Sequence, residues 1–284
     1  QTRNGRSMKV RLTKHQGLGN DFLVLDLDQL GSQVVTELEW SRHARIWCDR
    51  STGIGADGLL LLGRGDGDIL TMKLFNRDGS SAEMSGNGIR CLAQAAHMRQ
   101  SRTDSIVYIV RTDAGEHRVE VTPDDQIPNS VHACVDMGVI EPIPEPNNWR
   151  FIGCDPGRPV MHVSVGNPHT VVAVEDIESV NLLELGLKVP QINLEIIEHG
   201  PEENAITMRV HERGAGITLA CGTGACASAW AALEWGLVSA QTDEVIVHMD
   251  GGDARVRVNS PAPGRVTLIG PAEYLHDATV EITP

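Results

Sequence analysis

The sequence predicts an α+β protein made of two pseudo-symmetric domains, each a curled, mostly antiparallel sheet or barrel around a central helix. The first observation is an internal repeat: a shift of 136 residues pairs Ser85 with Cys221 and aligns the glycines and alanines that follow each of them. Further on, a shift of 137 residues aligns the segment after Asp113 with the segment after Asp250. The third observation is the succession of short alternating apolar and polar segments, separated by turn residues, which is typical of β-strands.

The first copy is expected to contain short strands and a central helix. Its alternating segments predict strands at residues 8–13, 22–27, 59–62, 69–75, 106–110 and 117–121. The central helix is expected after Gly86-Asn87-Gly88, where apolar residues recur at helical spacing. Thr36 and Glu39 have the spacing of a capping box and predict a further helix. The glycine-rich turn at 53–58 comes before a strand, an order that excludes a dinucleotide-binding fingerprint.

The second copy follows the segment 122–130, whose proline, aspartate and asparagine residues predict a domain boundary. Its patterns predict a helix at 177–187, Asn193 in a strand or turn, and strands at 131–135, 160–165, 170–174, 206–210, 245–248, 254–258 and 266–269. A last short strand at 279–282 is expected to return to the first copy. We therefore predict one domain at 8–130 with a C-terminal strand at about 272–284, and a second at 131–271. Residues 1–7 carry no pattern and are interpreted as a tag remnant.

Composition narrows the class of partner and the compartment. The 284 residues carry a formal net charge of -14, which argues against nucleic acid and anionic membranes as partners. With no secretory signal or long apolar run, the sequence indicates a cytoplasmic protein whose thiols are reduced. The six cysteines form no Cys-x-x-Cys pair and no zinc-type spacing, so no metal site is expected.

Cys221 stands directly before a Gly-x-Gly turn that opens an alanine-rich helix. A helix N-terminus stabilises negative charge, so the pKa of this thiol is expected below its usual value of about 8.5. The competing interpretation is a buried structural thiol, since free cysteines are often small buried hydrophobes. The repeat places Ser85 at the matching helix end. We expect both ends at a cleft between the domains, where ligand sites are common.

Two proton-transfer groups on opposite walls of a cleft suit inversion at a carbon atom. The backbone donors at Gly86-Asn87 and Gly222-Thr223 are suited to binding the carboxylate beside that carbon. Pyridoxal phosphate is the usual alternative, but none of the four lysines lies in a phosphate-binding context. The predicted chemistry therefore uses no cofactor.

The chain resembles the diaminopimelate epimerase family, within the cofactor-independent amino-acid racemases and epimerases. The motifs that carry the resemblance cover the chain from Met8 to its end, in the order Gly17-Leu18-Gly19-Asn20-Asp21-Phe22, Gly53-Ile54-Gly55-Ala56-Asp57, Phe75-Asn76-Arg77-Asp78-Gly79-Ser80, Gly86-Asn87-Gly88-Ile89-Arg90-Cys91, Gly166-Asn167-Pro168-His169, Glu212-Arg213-Gly214-Ala215-Gly216 and Cys221-Gly222-Thr223-Gly224. Together these motifs are highly specific.

The resemblance implies interconversion of LL- and meso-diaminopimelate in the pathway to lysine and peptidoglycan, by a homodimer without a cofactor. It implies that Cys221 is one acid/base, and that Glu212 and His169 support proton transfer. Arg213 would bind the distal carboxylate, for which a bidentate guanidinium is well suited. The remaining substrate contacts that the resemblance implies are the side chains of Asn20, Asn76, Asn167 and Asn193 and the backbone donors at Gly86, Asn87, Gly222 and Thr223.

The chain departs from the family pattern at Ser85, where the family has its first catalytic cysteine. A hydroxyl is a much weaker acid than a thiol. Ser85 therefore either works as an acid/base with help from His169 and the helix end, or is an engineered change that silences the enzyme, or marks one-base chemistry, another amino acid as substrate, or a non-catalytic amino-acid-binding protein. Cys91 is too far along the helix to replace it, and Gly58 stands where some relatives have Gln.

Overall fold

The computed structural model describes residues 7–31 and 39–282, which form two compact units. Unit 1 comprises residues 1–17, 21–133 and 271–284, and unit 2 comprises residues 18–20 and 134–270. The sequence placed the divisions at 130/131 and near 271/272, and it did not assign Leu18–Asn20 to the second unit. Within residues 7–31 and 39–282, no helix has the length and apolar character needed to cross a membrane.

Unit 1 contains two helices, α1 at Trp40–Trp47 and α2 at Gly86–Arg99, and a 3-10 turn at Leu27–Gln29. Its strands are β1 Met8–Gly17, β2 Asn20–Asp26, β3 Gly58–Arg64, β4 Ile69–Asn76, β5 Ser81–Ala82, β6 Ile106–Thr112 and β7 Gly115–Pro123. Strands β3 and β4 are antiparallel, as are β4 and β5 and also β6 and β7, whereas β2 pairs with β3 and β4 with β6 in parallel. Helix α2 packs against β1, β3, β4, β6 and β7 and is buried along most of its length.

Unit 2 contains helices α3 at Leu182–Lys188 and α4 at Gly222–Glu234, with 3-10 turns at Trp149–Phe151 and Ile177–Ser179. Its strands are β9 Glu141–Pro142, β10 Val160–Ser164, β11 Pro168–Ala173, β12 Asn193–His199, β13 Ala205–Glu212, β14 Gly216–Thr218, β15 Val245–Met249 and β16 Gly252–Val258. Helix α4 packs against β10 to β13, β15 and β16. Two long strands pass from one unit's residues to the other's, β8 at Ser130–Val139 and β17 at Arg265–Ile282.

The strand pairing confirms the predicted duplication. In unit 1 the parallel pair β4/β6 sets Ile69 opposite Ile109, and in unit 2 the parallel pair β13/β15 sets Ala205 opposite Ile246. These pairs are related by the shifts of 136 and 137 residues found in the sequence. Each unit therefore repeats the same order: a parallel strand pair, an antiparallel return, a short hairpin strand, the central helix and a parallel strand after it.

Apolar side chains fill the space between strands and helices in each unit. In unit 1 the cluster under α1 includes Trp47, Leu23 and Leu59. In unit 2 the cluster under α3 includes Leu182 and Leu194. Burying a side chain of this size contributes about 1.5–3 kcal/mol. These clusters fix the strands whose ends carry the candidate site residues.

Three local predictions were wrong. The helix expected at 177–187 is broken into the 3-10 turn Ile177–Ser179 and helix α3, because the Asn181 side chain caps α3 by accepting a hydrogen bond from Glu184 N. The short strand expected at 279–282, like the one at 266–269, is part of the single strand β17, which pairs with β1 from Met8 opposite Ile282. Helix α1 begins at Trp40 with Glu39 as its N-cap. Thr36 and residues 1–6 of the predicted tag lie outside the described residues.

Candidate active site

Cys221 is the N-cap residue of α4. Its backbone is extended, with φ -133 and ψ 113, and its Sγ accepts a hydrogen bond from Gly224 N at 3.3 Å. The Thr223 hydroxyl lies 3.5 Å from Sγ. A sulfur atom at an N-cap satisfies one of the amides that the first helical turn leaves unpaired. The side chain is buried, with 5% of the residue exposed.

The pKa of Cys221 is raised well above its usual value, which reverses the expectation from the helix end. Burial is the main cause, and the nearby carboxylates of Glu212 and Glu195 add to it. The hydrogen bonds from Thr223 and Gly224 oppose the shift but are the smaller effects. Because a thiolate in this position would be desolvated next to two carboxylates, the resting protein holds Cys221 as a neutral thiol.

Glu212 lies at the end of β13, beside the sharp turn that leads to β14. Burial raises the pKa of its carboxyl group, and hydrogen bonds to Thr218 and Cys221 partly offset this effect. The Thr218 hydroxyl donates to Glu212 Oε1 at 2.5 Å. Glu212 and Cys221 therefore form a coupled acid pair in which a proton can pass between a carboxyl and a thiol.

His169 connects the start of β11 to the same helix end. Its Nε2 lies 2.9 Å from Asn167 Oδ1, and Asn167 Nδ2 donates to Thr223 Oγ1 at 3.3 Å. Thr223 in turn contacts the Cys221 thiol. The structure thus brings together four of the predicted residues, and the contacts run from the imidazole to the thiol.

Glu195 is a site residue that sequence reasoning missed. Its Oε1 lies 2.6 Å from His169 Nδ1, and both residues are 0% exposed. Its strand, β12, places it opposite Val171 in parallel register and opposite Val210 in antiparallel register. The available signal was a glutamate inside an apolar run from Leu194 to Ile197, since a buried carboxylate needs a partner.

Asn193 ties together the two loops that carry these residues. Its Nδ2 donates to Pro168 O at 3.0 Å, and its Oδ1 accepts from Arg213 N at 2.9 Å. The Arg213 side chain is exposed and available to a ligand. Gly222 and Thr223 form the first turn of α4 and are buried. The substrate contacts of these residues stay predictions.

In unit 1, Ser85 is the N-cap of α2 with φ -143 and ψ 123, and its Oγ accepts from Gly88 N at 3.0 Å. Gly86 and Asn87 form the buried first turn, where Asn87 Oδ1 accepts from Arg90 Nη2 at 2.9 Å. Arg90 is fully buried and also donates to Pro271 O. Unit 1 therefore presents a rigid helix N-terminus with a hydroxyl in place of a thiol.

The remaining predicted residues of the chain's first half lie at strand ends. Asn20 begins β2. Asn76 ends β4, is exposed, and donates to Ser80 Oγ at 3.0 Å. Cys91 is 0% exposed within α2, and burial raises the pKa of its thiol to about 12, which excludes it as a ready replacement for Ser85.

Gly58, at the start of β3, stands where some relatives have Gln. A Cβ built on it would lie 2.9 Å from Phe75 O and 3.2 Å from the Phe22 ring. A glutamine here would thus require the surrounding backbone to shift, so its predicted polar contact is absent by design of the local packing.

The fold of this chain is that of solved epimerases, racemases and PhzF-type proteins. A phenazine biosynthesis protein of the PhzF family from Bacillus anthracis aligns with a TM-score of 0.73 at 15% identity, covering 97% of this chain and 100% of that one. A hydroxyproline epimerase from Agrobacterium vitis aligns with a TM-score of 0.68 at 16% identity, covering 99% and 93%. Duplicated α+β units with a polar residue at each central helix end define this class of fold.

Sequence relatives narrow the class to one family. The family model described as diaminopimelate epimerase matches residues 12–141 and 161–275. A diaminopimelate epimerase of Thermosynechococcus vestitus is 36% identical, covering 96% of this chain and 100% of the relative. One from Prochlorococcus marinus is 39% identical, covering 95% and 92%. The chain belongs to the diaminopimelate epimerase family.

Proposed function

We propose that this chain is an isomerase that interconverts LL- and meso-diaminopimelate by moving a proton at Cα without pyridoxal phosphate. The observation that carries the proposal is the Cys221 thiol at the N-terminus of α4, coupled to Glu212 and connected through Thr223 and Asn167 to His169. Together with membership of the family, this arrangement supports acid/base chemistry at a carbon.

The resting protonation state assigns a direction to the unit 2 half-reaction. Cys221 is a thiol whose raised pKa makes it a proton donor first, and Glu212 accepts or returns the proton afterwards. A carboxylate at the reacting carbon fits the amide donors of Gly222-Thr223 and of Gly86-Asn87. Arg213 is the candidate ligand for the distal carboxylate, with Asn20, Asn76, Asn167 and Asn193 around the non-reacting end.

Inversion needs a second acid/base group on the opposite face of Cα, and Ser85 is the candidate. Its hydroxyl accepts from Gly88 N and sits on a helix N-terminus, which stabilises an alkoxide more than bulk water does. A serine in this place makes a slower acid/base than a thiol. The proposed reaction is therefore asymmetric, with the faster proton transfer at Cys221.

The family also suggests the cellular setting. We propose a cytoplasmic homodimer in the biosynthesis of lysine and of a peptidoglycan precursor. Sedimentation of the purified chain tests the dimer, and a monomer across the concentration range would refute that part.

The experiment is incubation of LL- and meso-diaminopimelate with the protein in D2O, followed by NMR of the Cα proton and chiral separation of the products. We expect deuterium at Cα together with conversion of each isomer into the other. If neither exchange nor conversion occurs, and the S85C variant also shows none, the epimerase proposal fails.

A second candidate is one-base exchange, in which Cys221 removes and returns the proton on one face. It is favoured by the single side-chain hydrogen bond that Ser85 makes among the described residues, compared with the connected groups at Cys221. Deuterium incorporation without inversion supports it, whereas inversion at the rate of exchange excludes it.

A further inference from the structure

The buried pair formed by His169 and Glu195 differs from the rest of the unit 2 core. Both residues are 0% exposed, and Nδ1 and Oε1 lie 2.6 Å apart. Glu195 Oε2 is buried and has no hydrogen-bond partner among the described residues. Removing a carboxylate from water is costly unless it is paired, and replacing such a pair by apolar residues is often neutral or stabilising. The fold alone therefore gives no reason to keep this pair.

The duplication shows what the fold accepts at these two positions. In unit 1, Leu60 lies opposite Val24 in parallel register and opposite Leu74 in antiparallel register, which matches the positions of Val171 and Val210 around Glu195. Likewise Phe22 pairs with Gly58 at the start of its strand pair, as His169 pairs with Asn193. The unit with Ser85 thus has Phe and Leu where the unit with Cys221 has His and Glu.

The contacts with the central helix match as well. A Cβ on Gly88 would lie 3.4 Å from Leu60 Cδ2, and a Cβ on Gly224 would lie 2.6 Å from Glu195 Oε1. Both side chains therefore pack against the third residue of the helix N-terminus. In unit 2 only a glycine at 224 leaves room for the carboxylate, so Glu195 reaches the turn whose amide binds the Cys221 sulfur.

The direction of the pair completes the argument. A carboxylate can only accept, so Glu195 holds a proton on His169 Nδ1 and fixes the plane of the ring. The other nitrogen, Nε2, is thereby turned toward Asn167, whose amide contacts Thr223 beside the thiol. An apolar residue at 195 would fill the same space and leave the ring free to choose either tautomer.

We propose that Glu195 is a positioning residue that fixes the Nδ1-protonated form and the orientation of His169 beside the Cys221 thiol. This inference rests on the proposed function, in which His169 supports proton transfer at Cys221. Glu195 touches neither substrate nor reacting atoms in this role. It acts through His169, and the unit with Ser85 has no counterpart to it.

The test uses two substitutions in the full-length protein. E195Q keeps the shape and a hydrogen-bonding side chain but removes the charge, and E195L installs the residue that the equivalent position of unit 1 tolerates. The matched control is E202Q, because Glu202 Oε2 lies 2.7 Å from Nε2 of His248 in a similar histidine–carboxylate pair at the surface.

Two readouts separate positioning from a structural role. We expect E195Q to lower kcat about 10²-fold, the scale of a misaligned acid/base group, with KM nearly unchanged. In 15N-histidine NMR, with the signal assigned by loss in H169Q, we expect wild type to show a slowly exchanging Nδ1 proton on His169. E195L should lose that proton signal, and E202Q should match wild type in both measurements.

Several outcomes overturn the inference. It fails if E195Q and E195L keep the wild-type kcat, or if kcat per folded molecule is unchanged and only the melting temperature falls. It also fails if the Nδ1 proton persists in E195L. Should wild type and S85C both fail to epimerise or exchange, the proposed function is lost, and the NMR comparison of wild type with E195L still decides whether Glu195 fixes the ring.

Discussion

The N-terminus of α2 and the N-terminus of α4 occupy equivalent places in the two repeats. Ser85 and Cys221 have nearly the same extended backbone, with φ of -143 and -133, and each accepts a hydrogen bond from the amide three residues later. Their helices also end alike, each with a C-cap amide that donates to two carbonyls of the last turn. Backbone geometry is therefore duplicated in full.

The side chains around the two caps are not duplicated. Cys221 is coupled to Glu212 and lies near the His169–Glu195 pair, whereas the positions equivalent to His169 and Glu195 hold Phe22 and Leu60. The difference teaches that the fold supplies two amide-lined helix ends, and that acid/base strength is added by residues on the neighbouring strands. The two ends are expected to contribute unequally to catalysis.

The largest effect is expected from C221A. Removing the thiol deletes the stronger acid/base, so Cα exchange and epimerisation should fall by about 10³-fold or more. C226A is the control, since Cys226 is also buried in α4 but lies beyond its first turn. Exchange measured in D2O checks the prediction. Comparable losses in both variants would mean that packing of α4, rather than the thiol, sustains the activity.

A smaller effect, with an informative sign, is expected from E212Q. The Glu212 carboxylate raises the pKa of Cys221, so neutralising it should lower that pKa and increase the thiolate fraction at pH 7. Alkylation of Cys221 by iodoacetamide, followed by mass spectrometry, should therefore become faster while epimerisation slows about 10²-fold.

The control for E212Q is E184Q, because Glu184 lies exposed on α3 and pairs with Lys188. It should leave both rates unchanged. If E212Q slows alkylation and epimerisation together, Glu212 acts by holding the site in shape, and the coupled acid pair is refuted.

The smallest effect concerns stability at the other helix end. S85A removes the side-chain acceptor of Gly88 N and should lower the free energy of unfolding by about 1 kcal/mol. Ser81 is exposed in the short strand β5, so S81A should change it little. Urea unfolding followed by circular dichroism measures both. An S85A protein as stable as wild type would show that the cap at α2 is dispensable.

Much of the fold could be predicted from the chain because its signals are local. The glycine turns before Ser85 and Cys221 helices, the alanine positions and the 136-residue shift all lie within short windows. The helix expected at 177–187 failed because Asn181 prefers to cap rather than continue a helix. Strand β17 was divided in two because its register with β1 depends on residues far away in sequence.

The site could be predicted only where a motif names its residues. Cys221, Glu212 and His169 come from short motifs, and the structure places them together in unit 2. Glu195 lies outside every motif, and its partner is on a neighbouring strand, so only strand register reveals it. The pKa of Cys221 also defeated sequence reasoning, because burial and two carboxylates outweigh the helix end that the sequence shows.

The most direct measurement of the unequal helix ends compares wild type, S85C and S85A in D2O, following both inversion and Cα deuterium. If Ser85 is the weaker acid/base, S85C should raise the inversion rate about 10²-fold, and S85A should lose inversion while keeping some exchange through Cys221. An S85C protein no faster than wild type, or an S85A protein that still inverts at the wild-type rate, would contradict a catalytic role for this position.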